Sequence, residues 1–337
     1  MRQSQVTCFH SDAVRLPRRE DGLPATVVDR KQERTTEPPS AEALIGDVLT
    51  SPAPRLQEAP TPQRADGAAE VRFALRDGAS RLIHLYQSHP CRAFFPDMWT
   101  RGEPPLTVLA NQAGGYVSGD RVRLEVGVDA GAALSVTTQS AERVHGCEDG
   151  PDILVETGIS VAEDAWLDWL PRPSILFEGA RLRRRTAISL APGGRLLACD
   201  TWIFGRRARG ERFACGSLRD RWSVTIGDRL AWVDALHLGD DPGAAFAAPH
   251  RLGGAAAMAT ALYAAADAGE RLELARGLLA DTEGRAGVTL VGGGRVLLAR
   301  FLGDTPEAVR RDLDGYLGAL RQAVGPYCAT LPRVGND

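Results

Sequence analysis

Between Arg121 and Val128, apolar Val122, Leu124, Val126 and Val128 alternate with Arg121, Arg123, Glu125 and Gly127. A period of two places the apolar set on one face, as in a strand with one side buried. Asp129-Ala130-Gly131 marks a turn, after which Leu134, Val136 and Thr138 resume the pattern. Similar short strands are predicted at Ile153 to Thr157, Ala165 to Trp169, Arg183 to Leu190, Arg195 to Phe204, Trp222 to Ile226 and Leu230 to Leu238. Gly, Pro and Asp separate them, as at Ala191-Pro192-Gly193-Gly194. Many short strands at similar spacing point to stacked sheets, a barrel or a β-solenoid. No fixed-length repeat is visible.

Helical signals come late. Gly254 to Leu279 is alanine-rich and is expected to hold one or two helices. Val288 to Val291, three glycines and Val296 to Leu302 read as a hairpin. Thr305 is placed to cap a final helix, with Pro306 in its first turn. Val309, Leu313, Tyr316, Leu317, Leu320 and Val324 then share one helical face. Residues 1–68 differ from the rest. Pro17, Pro24, Pro38, Pro39, Pro52, Pro54, Pro60 and Pro62 interrupt a polar stretch that buries too little apolar surface to offset its ordering entropy. They are expected to form a disordered extension, and residues 69–330 a single β-rich domain.

Composition narrows the function more than the fold. The 337 residues carry a net charge of -3, which gives no reason to expect nucleic acid or an anionic membrane as partner. The opening Met1-Arg2-Gln3-Ser4-Gln5 lacks the apolar core of a secretory signal. Six cysteines are scattered without a C-x-x-C pair, as expected of reduced thiols in the cytoplasm. Lys31 is the only lysine and lies in the proline-rich segment, which removes both a Walker A loop and Schiff-base chemistry.

The glycine-rich segment Asn111 to Asp120 leads into a strand, whereas a dinucleotide fingerprint opens a helix. Its structural reading is a tight turn in which Gly114, Gly115 and Gly119 take positive φ and Asp120 hydrogen-bonds the backbone; a binding surface is the other reading. His89-Pro90-Cys91 and His145-Gly146-Cys147 are two H-x-C pairs, and residues at i and i+2 of a strand share a face. A zinc protein or zinc enzyme using His89, Cys91, His145 and Cys147 is therefore the alternative function to be tested. The arginine clusters at residues 181–185 and 206–209 are expected to be solvated faces or docking patches.

Four ordered blocks resemble the urease accessory protein family UreD, also called UreH. They are Asn111-Gln112-Ala113-Gly114-Gly115 through Ser118-Gly119-Asp120; Thr137-Thr138-Gln139-Ser140-Ala141-Glu142-Arg143-Val144; Asp168-Trp169-Leu170-Pro171 with Ile175-Leu176-Phe177-Glu178-Gly179-Ala180; and Phe204-Gly205-Arg206, Ala208-Arg209-Gly210-Glu211 and Gly216-Ser217-Leu218-Arg219-Asp220. Gln112, Tyr116, Ser118 and His145 depart from the residues usual there, and Asp168 and Glu178 exchange Asp with Glu at two acidic positions. The resemblance implies a mostly β fold of two packed, helically wound β layers, β-solenoid-like, with about two α-helices near the C-terminus. It further implies a non-catalytic scaffold that binds apo-urease and a UreF-like partner, which recruits a UreG-like GTPase. No cofactor would be tightly bound, and nickel would pass transiently. Glu142, His145, Asp168 and Glu178 are the expected path groups, and Gly114, Gly115, Gly119, Asp120, Thr138, Gln139, Arg206 and Arg209 the motif and interface positions.

Overall fold

The computed structural model describes residues 64–96, 102–146, 150–239 and 241–332. The predicted alternation becomes a chain that winds between two facing sheets. The first sheet runs β14 (Arg229–Leu238), β13 (Ser217–Ile226), β11 (Arg181–Leu190), β8 (Ile153–Val161), β5 (Arg121–Val128), β1 (Asp66–Arg76) and β2 (Ala79–Gln87). The second runs β16 (Arg285–Val291), β17 (Val296–Gly303), β15 (Ala257–Ala264), β12 (Arg195–Phe204), β9 (Trp166–Trp169), β6 (Ala133–Thr138), β4 (Leu106–Asn111) and β3 (Cys91–Phe94). Two short strands, β7 (Glu142–Val144) and β10 (Ser174–Leu176), extend it, with β10 pairing both β7 and β12.

Each excursion from the first sheet to the second and back adds a strand parallel to the previous one, as in β5 to β8, β8 to β11 and β11 to β13. Hydrogen bonds stack the corners of successive coils: Ala162 N–H to Val128 C=O, Ala191 to Val161 and Gly227 to Leu190, at 2.8–2.9 Å. The fold is thus β-solenoid-like, as expected. Val128, Val161, Leu190 and Ile226 occupy equivalent places in coils of unequal length, which is why no fixed repeat shows in the sequence. Antiparallel strands close the stack: β2 on β1, β14 on β13, and β15, β17 and β16 beyond β12.

The main core lies between the sheets, where Val122, Val126, Leu134, Val136, Ile159, Leu182, Ile188 and Leu196 are buried. Each such side chain contributes ~1.5–3 kcal/mol by leaving water. A second apolar layer lies on the far side of the second sheet, under α3 (Pro306–Val324). As predicted, Thr305 caps this helix, its hydroxyl accepting from the Ala308 N–H at 3.2 Å, and the six apolar residues of the predicted face are all buried. The smaller helices are α1 (Gly243–Ala247) and α2 (Leu272–Gly277).

The alanine-rich segment ends in α2, but its first half, expected to be helical, is β15. That strand lies between β12 and β17, with Met258 and Leu262 facing the main core and Ala259, Ala261 and Tyr263 facing α3. Burial on both faces erases the alternation that would mark a strand. The glycine hairpin joins β16 and β17 as read. The first strand begins at Asp66, inside the segment assigned to the extension; residues 1–63 lie outside the described residues. Among the described residues, no helix is long and apolar enough to cross a membrane.

Candidate functional site

The glycine-rich segment links β4 to β5. Gly114, Gly115 and Gly119 have φ of 77°, 139° and 84°. At Gly115 a Cβ would stand 2.7 Å from the Arg143 carbonyl and from His145 Nε2. The Tyr116 N–H donates to that same carbonyl at 2.7 Å, and the Tyr116 carbonyl accepts from His145 N–H at 2.9 Å. Asp120 is almost wholly buried; its carboxylate accepts from the Ala65 and Val117 N–H groups at 2.9 and 2.8 Å. The Ser118 hydroxyl donates to the Pro151 carbonyl at 2.8 Å. The loop clasps neighbouring segments together and turns the Tyr116 ring inward.

Tyr116 thereby helps line a cavity of about 70 Å³ between the sheets. Cys91, Asn111, Thr138, Glu142, Arg172, Arg184 and Asp200 also reach it. Glu142 projects from β7 and meets Asn111 Nδ2 at 3.4 Å. Burial raises its carboxyl from an ordinary 4.5 to about 7, only slightly offset by that contact. Burial, with the nearby Glu142 charge adding to it, pushes the Cys91 thiol to about 11. Thr138 ties down the wall, its hydroxyl donating to Ser140 C=O at 3.1 Å and accepting from Arg172 N–H at 2.9 Å. Gln139, next in sequence, is exposed.

Arg184 forms a strut across the core. Its guanidinium bonds Asp220 of β13 through Nε and Nη2 at 2.9 and 2.8 Å, and Asp200 of β12 through Nη1 at 3.0 Å with a further contact from Nη2. It stacks over Trp202 at 4.0 Å. The arginine run at 181–185 is therefore not one solvated face, because the strand pleat sends Arg184 inside while Arg183 and Arg185 stay exposed. Sequence reasoning missed this triad and its signal, a charged residue at an inward position of each of three apolar-patterned strands.

The four expected path groups do not share one cluster. Asp168 is fully buried on the α3 side of the second sheet. It accepts from Ser135 Oγ at 2.7 Å, Trp166 Nε1 at 2.8 Å, and Arg321 Nε and Nη2 at 3.0 and 2.9 Å. Arg321 also pairs with Glu103 at 2.7 Å, so these groups bolt α3 onto the sheet. Glu178 follows β10 and accepts from the N–H groups of Ala214 and Cys215 and from Cys215 Sγ, each at 2.9 Å, pinning that loop. His145 and Glu178 come close through Phe177, whose ring meets the imidazole edge-on at 4.9 Å and carries Arg206 at 4.1 Å. Arg206 also pairs with Glu211, and Arg209 stands exposed on the next turn.

The first H-x-C pair does not form a chelate by strand spacing. His89 is exposed, before β3, while Cys91 is buried. Cys147 lies outside the described residues. Among the described residues, no three His, Cys, Asp or Glu side chains are grouped to hold a metal ion. The zinc alternative is not favoured.

The chain is a wound two-sheet β protein with a small cavity between its sheets, and the motifs of its sequence serve as clasps beside that cavity. The family described as UreD urease accessory protein matches residues 65–336. Curated relatives include urease accessory protein UreD of Brucella suis, 35% identical over 272 residues that cover 81% of this chain and 94% of the relative. Those of Azorhizobium caulinodans and Rhodopseudomonas palustris are 36% and 37% identical over 276 residues, covering 82% and 80% of this chain and 98% and 93% of theirs. The chain belongs to the UreD urease accessory protein family.

Proposed function

We propose that the chain is a non-catalytic scaffold of urease maturation. It binds apo-urease and a UreF-like partner that recruits a UreG-like GTPase, and its interior forms part of a shielded path for nickel. The observation that carries this reading is Glu142: in a small, mostly apolar cavity between the sheets, where the other carboxylate, Asp200, is held by Arg184, the Glu142 carboxyl has only a weak amide contact and is raised by burial to about 7.

A path differs from a store in affinity. A lone carboxylate that must lose its proton before it accepts a divalent ion binds weakly, because proton and metal compete for the same oxygens. Asn111 and Thr138 supply neutral oxygens on the same wall. Asp168, with both oxygens engaged by donors, anchors α3 in this scheme, while His145 and Glu178 hold the loop cluster beside β7. The absence of a P-loop from the sequence agrees with nucleotide hydrolysis on another subunit.

The test is a tagged pull-down from cells co-expressing this chain, the urease subunits and candidate UreF-like and UreG-like proteins, with metal analysis of the urease. Co-purification, with urease nickel falling when this chain is omitted and falling in part with Glu142→Gln, is expected. Urease that fills with nickel equally well without the chain would refute the reading.

A further inference from the structure

Beyond the end of β12, on the surface and away from the core cavity, a concavity of about 610 Å³ opens between the loop after residue 204 and α1. Its floor is aromatic. Phe204 and Phe213 are each 1% exposed, and Phe246 of α1 meets Phe204 edge-on at 5.0 Å. Its rim carries Arg207, Arg212 and Arg285, and none of its lining residues is acidic. This local charge runs against a chain whose net charge is -3.

The arginines are set unequally. Arg207 Nη2 donates to the Gly254 and Ala255 carbonyls, both at 2.8 Å, which fixes the guanidinium, yet its Nε is buried with no hydrogen-bond partner. Arg285 Nη2 is held by the Leu252 carbonyl at 3.0 Å. Arg212 is exposed. Burial and then the Arg212 charge weaken the hold of Arg207 on its proton, with Asp304 opposing them, so two guanidinium charges repel each other across the rim. An acidic ligand relieves that repulsion, and guanidinium groups pair favourably with carboxylates. The floor at the same time demands an apolar or aromatic body.

Resting on the scaffold reading above, we propose that this pocket is the anchor for a protein partner of the maturation assembly. The partner lays an aromatic or aliphatic side chain against Phe246, Ala247 and Pro249, over the buried Phe204 and Phe213, and a neighbouring Asp or Glu carboxylate on the arginine rim. Charge complementarity selects the partner face, and an aromatic floor ringed by arginine is the composition in which binding energy concentrates.

Two measurements on the full chain test this, with Arg212→Glu as the variant because Arg212 is exposed and its reversal leaves the core intact. First, calorimetric titration with 3-phenylpropionate, an aromatic ring bearing one carboxylate, is expected to saturate, and Arg212→Glu to weaken it at least ~10-fold. Second, the co-expression pull-down is expected to lose a partner with Arg212→Glu, and to weaken for the wild type as salt rises. No saturable 3-phenylpropionate binding overturns the proposal. Binding of the probe with unchanged partner retention in Arg212→Glu assigns the pocket to a free small acid and overturns the partner. A wild-type chain that retains no partner overturns the scaffold reading and this assignment with it.

Discussion

Replacing Arg184 by methionine tests the view that the core is held by a charged strut as well as by apolar packing. The change removes four hydrogen bonds and a cation–π contact, and leaves Asp200 and Asp220 facing each other inside the protein. Removing one partner of a buried ion pair costs ~3–5 kcal/mol, chiefly because the remaining charge stays desolvated. For a domain of this size that corresponds to a melting temperature lower by ~10 °C. The deficit depends on pH. Without the guanidinium, the burial and the Asp220 charge that raise the Asp200 carboxyl above its unfolded value act unopposed, so the protonated form of Asp200 is favoured in the fold. The penalty is then absent at pH below the unfolded carboxyl value near 4, grows as pH rises from there towards the raised folded value, and is complete above it. Thermal melts of wild type and Arg184→Met from pH 4 to 8 should therefore converge at the acid end and separate at the alkaline end. The triple replacement Arg184→Met, Asp200→Leu, Asp220→Leu should recover most of the loss. A single variant that melts within ~2 °C of wild type at pH 8 would refute the reasoning.

Glu142→Gln should act in the opposite direction. The carboxyl rises from 4.5 to about 7 on folding, so its ionisation opposes folding above pH 7 by up to ~3 kcal/mol, and urea denaturation of the variant should lose the stability decline that wild type shows between pH 4.5 and 7. Parallel curves for the two proteins would contradict the buried position of this carboxyl. Asp120→Ala should cost ~2–4 kcal/mol, since the Ala65 and Val117 N–H groups each lose their acceptor; proteolysis at the glycine-rich loop should accelerate with it.

How far the sequence reaches is clearest by comparing elements. The strand β5, the terminal helix α3 with its Thr305 cap, and the β16–β17 hairpin follow from local rules. In each, one face meets the core and the other meets water, or the turn demands glycine, so burial is written as a period. The positive φ values at Gly114, Gly115 and Gly119 and the backbone bonds of Asp120 were legible for the same reason. β15 was not, because both of its faces are covered and its alanine-rich run carries no period. The coil-by-coil winding was legible only as many short strands, since its turns differ in length. The site divides likewise. Family-like blocks marked Glu142, His145, Asp168 and Glu178, but one-dimensional order could not say that Glu142 faces a cavity while Asp168, on the other side of a sheet, is spent on Arg321. Nor could it single out Arg184, which sits in a run of arginines that looks solvated. Whether a charge meets water or two carboxylates depends on which strands the winding stacks beside it, and that is settled by contacts between residues distant along the chain.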